Sequence, residues 1–135
     1  MAVPFVRSGR DWCVMSAANK ARGTRWEREV VEYLTPVFET TRLPRTGAKD
    51  EGDAEVRLRD NLRLILEAKA VKSINLADFT DQANVESDHR EQRTGVPTYG
   101  AAVVKRRNKG TGDGYVVFSL ENFREFLVAV LHGRS

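Results

Sequence analysis

The stretch that most limits the fold is Leu62 to Ala70, Leu-Arg-Leu-Ile-Leu-Glu-Ala-Lys-Ala. It reads as a strand covered on both faces, and such strands need helices packed over a sheet. Side chains alternate along a strand, so Glu67 and Lys69 share one face while Leu66, Ala68 and Ala70 share the other. Upstream, Asp53 to Leu58 alternates acid, Ala, acid, Val, Arg, Leu, the pattern of a half-buried strand, and Asp60-Asn61 supplies a hairpin turn. Counting back from that turn sets Asp53 roughly opposite Glu67 and Ala68. The hairpin therefore brings one acid from each strand together beside a lysine.

The other elements follow from periodicity and punctuation. Val30, Val31, Leu34 and Phe38 recur at helical spacing and predict a helix over residues 24–34. Thr24 serves as its N-cap, Glu27 as a capping-box partner, and Pro36 ends it at Thr35. Residues 39–44 are extended, and Arg45 to Gly52 is a turn-rich loop. A second helix over 76–92 carries Leu76, Phe79, Ala83 and Val85. Tyr99–Lys105 and Tyr115–Leu120 read as buried strands joined by a basic, Gly-rich loop. A last helix over 121–132 shows Phe123, Phe126, Leu127, Val130 and Leu131 on its apolar side. The order α-β-β-β-α-β-β-α predicts an α/β fold, a mixed central sheet flanked by helices. The chain's 135 residues fit one domain. Residues 19–135 are expected to form it, behind a flexible N-terminal arm of residues 1–18, within which Met15-Ser16 also reads as a translation start.

No apolar run approaches the ~18 residues that span a bilayer, and the N-terminus lacks the apolar stretch of a signal peptide. Cys13 is the one cysteine, a bystander thiol that excludes an internal disulfide and suits a reducing compartment. A cytoplasmic setting is expected. The net charge of +3 decides little; its distribution decides more. Arg7, Arg10, Lys20, Arg22, Arg25 and Arg28 face only Asp11 and Glu27 before Glu29, and Lys105-Arg106-Arg107-Asn108-Lys109 forms a second basic cluster. Between them, residues 78–91 are acid-rich. Basic ends around an acidic middle suit a protein that holds phosphates near a metal.

Charges on so apolar a strand as 62–70 are costly unless paired. Two carboxylates on neighbouring strands can share a hard cation such as Mg²⁺, with Mn²⁺ as a substitute. Glu27 continues the inward face marked by Val31 and Leu34 and offers a third carboxylate for the outer metal shell. Phosphodiester hydrolysis needs an activated water, charge relief on the phosphorane and a stabilised leaving oxygen. In that chemistry Asp53 and Glu67 hold the metal. Lys69 orients or deprotonates the attacking water, or offsets charge on the scissile phosphate. A lone Glu-x-Lys says little. Gly52-Asp53 followed by an apolar run ending in Glu-x-Lys, behind a helix carrying Glu, is far more specific.

These residues resemble the PD-(D/E)xK nuclease superfamily, and within it the archaeal-type Holliday-junction resolvases. The helix start Arg22-Gly23-Thr24-Arg25-Trp26-Glu27-Arg28-Glu29 is similar to that family's basic-Gly-x-x-x-Glu-Arg-Glu. Arg45-Thr46-Gly47-Ala48-Lys49 stands where its loop precedes the acid, and Asp53, Glu67 and Lys69 fall on its metal-binding and catalytic positions. Residue 52 is Gly where the family pattern has Pro. The motif detail covers roughly residues 20–72. The resemblance implies a restriction-endonuclease-like αβββαβ core, a Mg²⁺-dependent endodeoxyribonuclease and a homodimer that cuts two opposed strands. Its source would be a prokaryote or a phage-infected cell. The metal's oxygen donors would be Asp53, Glu67, Glu27 and the Ala68 main-chain carbonyl, with Glu55 or Gln82 as open additions.

Arg22, Arg25, Arg28, Arg45, Lys49 and Lys72 flank this set and are expected to contact phosphates, which position DNA without reading sequence. Lys105, Arg106, Arg107 and Lys109 would make a mobile basic finger. Trp26 reads as packing and His89 as a surface residue. The leading expectation is a structure-selective endonuclease resolving four-way junctions by paired cuts. The alternatives are a nuclease of the same fold acting on flaps, nicks or duplex ends in recombination or repair, and a DNA-binding module without catalysis.

Overall fold

The computed structural model describes residues 9–45 and 49–133. In chain order they form α1 (Gly9–Leu34), β1 (Glu39–Arg42), β2 (Ala54–Arg59), β3 (Leu62–Lys69), α2 (Leu76–Thr94), β4 (Thr98–Val104), β5 (Tyr115–Val117) and α3 (Leu120–His132). A 3-10 turn at Thr111–Asp113 precedes β5. The strands make one mixed sheet in the order β1-β2-β3-β4-β5. The fold is therefore α/β with the expected αβββαβ order, and Leu62–Lys69 is its central strand. β1, β2 and β3 run as an antiparallel meander. The α2 crossover then sets β4 parallel to β3, and β5 returns antiparallel on the edge.

The predicted alternation on β3 decides which helix covers which face. Leu66 joins Ala54, Val56, Ala101 and Val103 under Trp26 and Val30 of α1. Ala129 of α3 lies over Leu62 and Tyr99 of that same face. Phe79 of α2 covers Ala102 and Val104 on the opposite face. α2 approaches closely because residue 100 is Gly: a Cβ there would run into the Ala83 carbonyl. Trp26 is buried and its Nε1 donates to the Val103 carbonyl at 2.9 Å, so it packs as expected and also ties α1 to β4.

Three sequence expectations need correction. α1 begins at Gly9, so Thr24 lies inside the helix and forms no capping box with Glu27. Residues 17–22 are exposed; that turn of helix covers no core and carries no apolar stripe to read. Of the expected N-terminal arm, residues 9–18 belong to α1 and residues 1–8 lie outside the described residues. β5 is shorter than Tyr115–Leu120, because Ser119 instead caps α3 by accepting from the Asn122 N–H at 3.2 Å. As an edge strand it leaves Tyr115 and Val116 exposed rather than buried. Among the described residues no helix is long and apolar enough to cross a membrane.

Candidate active site

The β2–β3 ladder ends at Ala54↔Leu66. Asp53 is the next residue. Its N–H donates to the Leu66 carbonyl at 3.0 Å, and its Oδ2 accepts the Ala68 N–H at 2.8 Å. The side chain thus takes over the hydrogen bond that a continuing strand would have made. That fixes the Asp53 carboxylate opposite Glu67 and Ala68, where the hairpin count set it. Gly52 makes the entry possible with φ at +104°, a conformation closed to the Pro of the family pattern. A Cβ at that position would also collide with Ile65.

Glu67 and Lys69 project together onto the α2 face. Lys69 Nζ lies 3.1 Å from Glu67 Oε2 and donates to Gln82 Oε1 at 2.7 Å. It also sits over the Phe79 ring, 5.3 Å from the centroid. Gln82 Nε2 in turn faces Glu67 Oε2 at 3.1 Å and Glu86 Oε2 at 3.2 Å. Of the two open additions, Gln82 belongs to the site. Glu55 does not: Arg90 Nε holds its carboxylate at 2.8 Å.

Glu86 is the residue that sequence reasoning missed. It is 3% exposed, and its Oε1, like that of Glu67, is buried without a hydrogen-bond partner. Its signal was present: Phe79, Ala83 and Glu86 recur at helical spacing, so a carboxylate occupies a place on a buried stripe.

Three buried carboxyls so close together cannot all ionise cheaply. Burial, then the charge of Glu67, pushes Asp53 up to about 8. Burial and the neighbouring Glu86 push Glu67 up to about 8, with Lys69 opposing. Burial raises Glu86 as well. Glu51 behaves in the opposite way. The Arg93 guanidinium, aided by Arg90 at 2.8 Å, pulls it down to about 2. The Asp50-Glu51 pair is therefore scaffolding: Glu51 anchors the C-terminal half of α2, and the Asp50 carbonyl accepts from half-buried His89 at 3.0 Å. His89, expected at the surface, is half-buried.

Glu27 reaches the same pocket as Asp53, Glu67 and Lys69 from the α1 side. Its two oxygens are engaged by Arg42 at 3.2 Å and Arg45 at 3.0 Å. Glu86 is therefore a further carboxylate beside Glu67, while Glu27 holds two arginines and lies close enough to Asp53 for its charge to act on it.

The expected phosphate contacts separate into groups. Arg22, Arg25, Lys72, Lys105, Arg106 and Arg107 line one cleft next to the site. Arg28, Lys49 and Lys109 are exposed outside it. Thr46, Gly47 and Ala48 of the loop motif lie outside the described residues. The basic loop is pinned at its base. Lys105 pairs with Glu29 at 3.4 Å and lies over the Trp26 ring, and Arg106 lies over Tyr115.

Among the described residues no group of three or more His, Cys, Asp or Glu side chains is spaced to hold a metal by itself. The donor set nonetheless suits a hard divalent cation. It consists of oxygens, one of them the orphaned Glu67 Oε1, at a pocket open to solvent. Mg²⁺ characteristically takes one or two carboxylates and keeps several waters. No protein-family model and no curated protein matches this chain.

Proposed function

We propose that this chain is a metal-dependent, structure-selective DNA endonuclease of the PD-(D/E)xK type, resolving four-way junctions by paired phosphodiester hydrolysis. One observation carries the reading. Asp53 and Glu67 are buried side by side at the end of a sheet ladder, with Lys69 against Glu67 and, among the described residues, no side-chain cation that neutralises both acids. Such a pair costs stability and suits a protein that gains a counter-charge when it works.

In this reading Asp53, Glu67 and the Ala68 carbonyl hold Mg²⁺ or Mn²⁺, which supplies charge relief and water activation when bound. Asp53 is kept in place by the Ala68 N–H. Gln82 orients Glu67 and Lys69 together by bonding both. Lys69 then presents its ammonium to the scissile phosphate or, as the neutral amine, takes up the proton of the attacking water. Glu27 keeps an outer-shell place, with Arg42 and Arg45 as partners until phosphates draw them away. The arginines and lysines of the adjoining cleft contact DNA phosphates beside the cut.

Paired cutting of a symmetric junction calls for a homodimer. Val116 on β5 and Leu120 and Leu131 on α3, at 60%, 81% and 72% exposure, are apolar side chains that a partner subunit could cover.

The test is cleavage of labelled four-way junction, flap and linear duplex with Mg²⁺ or Mn²⁺. Symmetric nicks near the junction centre are expected. Cuts confined to flaps or ends would move the assignment to a flap or end nuclease. Tight binding with no cleavage under any divalent metal would leave a DNA-binding module.

A further inference from the structure

The cleft beside the candidate active site has a composition that duplex binding alone does not account for. It has a volume of about 490 Å³ and shares Ala70 and Val71 with the pocket that holds Asp53, Glu67 and Lys69. Its arginines and lysines face a single carboxylate, Glu29. That imbalance calls for a polyanion. Its floor, however, is apolar and open: Val71 is 44% exposed, Ile74 52% and Tyr115 51%.

The phosphate backbone of an intact duplex offers nothing that pairs with such a floor, because its bases are stacked inside. An unpaired strand does. Single-stranded nucleic acid is held by a basic groove that follows its phosphates and by aromatic and apolar surfaces on which its bases stack. Arg106 already lies over the Tyr115 ring, 5.3 Å from its centroid, and a planar guanidinium is itself a stacking surface for a base. The volume falls within the ~300–1,000 Å³ of sites that enclose small molecules, enough for a nucleotide rather than a duplex arm.

We infer that this cleft binds an unpaired DNA strand emerging from the cleavage site. Bases lie against Val71, Ile74 and Tyr115, and phosphates against Arg25, Lys72 and Arg107. For the nuclease proposed above, that strand is one that unpairs where the arms of a junction meet. The inference rests on that reading for its biological sense but not for its measurement.

Binding of fluorescein-labelled oligo(dT) and of a blunt duplex is measured by anisotropy in EDTA, where no hydrolysis is involved. Tyr115→Ala should weaken oligo(dT) binding by about fivefold or more, Tyr115→Phe should preserve it, and duplex binding should change by less than about twofold in either variant. Arg107→Ala should lower the oligo(dT) salt slope by ~0.7 for each phosphate that the arginine neutralises. Melting curves matching the wild type show that the variants are folded. The inference is overturned if Tyr115→Ala and Ile74→Ser leave oligo(dT) affinity unchanged, or weaken the duplex equally. Tyr115-dependent strand binding without cleavage under any metal would sink the nuclease reading and keep the cleft. Cleavage with strand binding indifferent to Tyr115 would do the reverse.

Discussion

Replacing Glu67 by Gln should make the metal-free protein more stable at pH 8 while removing its proposed activity. Glu67 is 5% exposed and rises from its ordinary 4.5 to about 8, chiefly through burial. A carboxyl raised by folding contributes its full stability below its unfolded value and loses it as pH climbs through the folded value. The wild type therefore loses stability from this group between about pH 4.5 and pH 8. At about 1.4 kcal/mol for each pH unit, the loss has a ceiling of roughly 5 kcal/mol. A neutral amide escapes it. Its oxygen can keep the contacts to Lys69 and Gln82, both now made by Oε2. Its NH₂ would replace Oε1, which has no partner. The variant forgoes the charge attraction of Lys69, and Glu86 relaxes when its neighbour is neutral, so a net gain of ~1–3 kcal/mol is expected. For a domain of this size that is ~3–10 °C in melting temperature. Thermal unfolding in EDTA at pH 8 and at pH 4.5 is the assay. The gain should appear at pH 8 and vanish at pH 4.5, where both side chains are neutral. A variant destabilised at pH 8, or shifted equally at both pH values, would refute the account of a strained acidic pair.

Asp53→Asn should slow junction cleavage by roughly a thousandfold yet leave junction binding in Ca²⁺ unchanged, which paired kinetic and anisotropy measurements would show. Glu51→Gln should destabilise the protein by ~1–3 kcal/mol at pH 7. Because Glu51 is pulled down to about 2, that difference should close as pH falls from about 4.5 toward 2 in acid-denaturation curves. Gly52→Pro should fail to fold or lose cleavage altogether, since φ at +104° is unavailable to proline; a circular dichroism melt like that of the wild type would contradict the assigned turn. Trp26→Phe should cost ~2–3 kcal/mol in urea unfolding, by removing the buried indole hydrogen bond to the Val103 carbonyl and leaving a gap beside it.

The sequence makes the hairpin legible because a strand's two-residue period is rigid. Once Leu62–Ala70 is central, Glu67 and Lys69 must share a face, and the turn at Asp60-Asn61 fixes Asp53 opposite them. A bulge between Arg57 and Arg59 shifts the count near the turn, but the Asp53 carboxylate still reaches Ala68. The contribution of α2 is less legible. Its period shows which residues face inward, yet not how the crossover rotates the helix over β3, and Gln82 and Glu86 meet Glu67 only through that rotation. The same limit applies to Glu27. Its place on an inward face is readable, whereas its capture by Arg42 and Arg45 depends on how β1 and the following loop fold back beside α1. The helix start at Gly9 is unreadable for a different reason, since residues 17–22 bury nothing and impose no pattern.

The place of the acids at the end of a ladder explains why this corner can carry chemistry at tolerable cost to the fold. In mid-sheet, each main-chain N–H is taken by a neighbouring strand, and a side chain can only stand above it. At Asp53 the pairing with β2 has stopped, so the Ala68 N–H is free to hold a carboxylate at 2.8 Å. One oxygen of the carboxyl is thus anchored by the backbone itself. Gly52 permits that stop, and Leu66 and Ile65 behind it, 3% and 0% exposed, keep it rigid. The penalty for burying Asp53, Glu67 and Glu86 together is then borne by a corner whose scaffold is independent of their charge state. Neutralising one of them should therefore stabilise the protein instead of unravelling it.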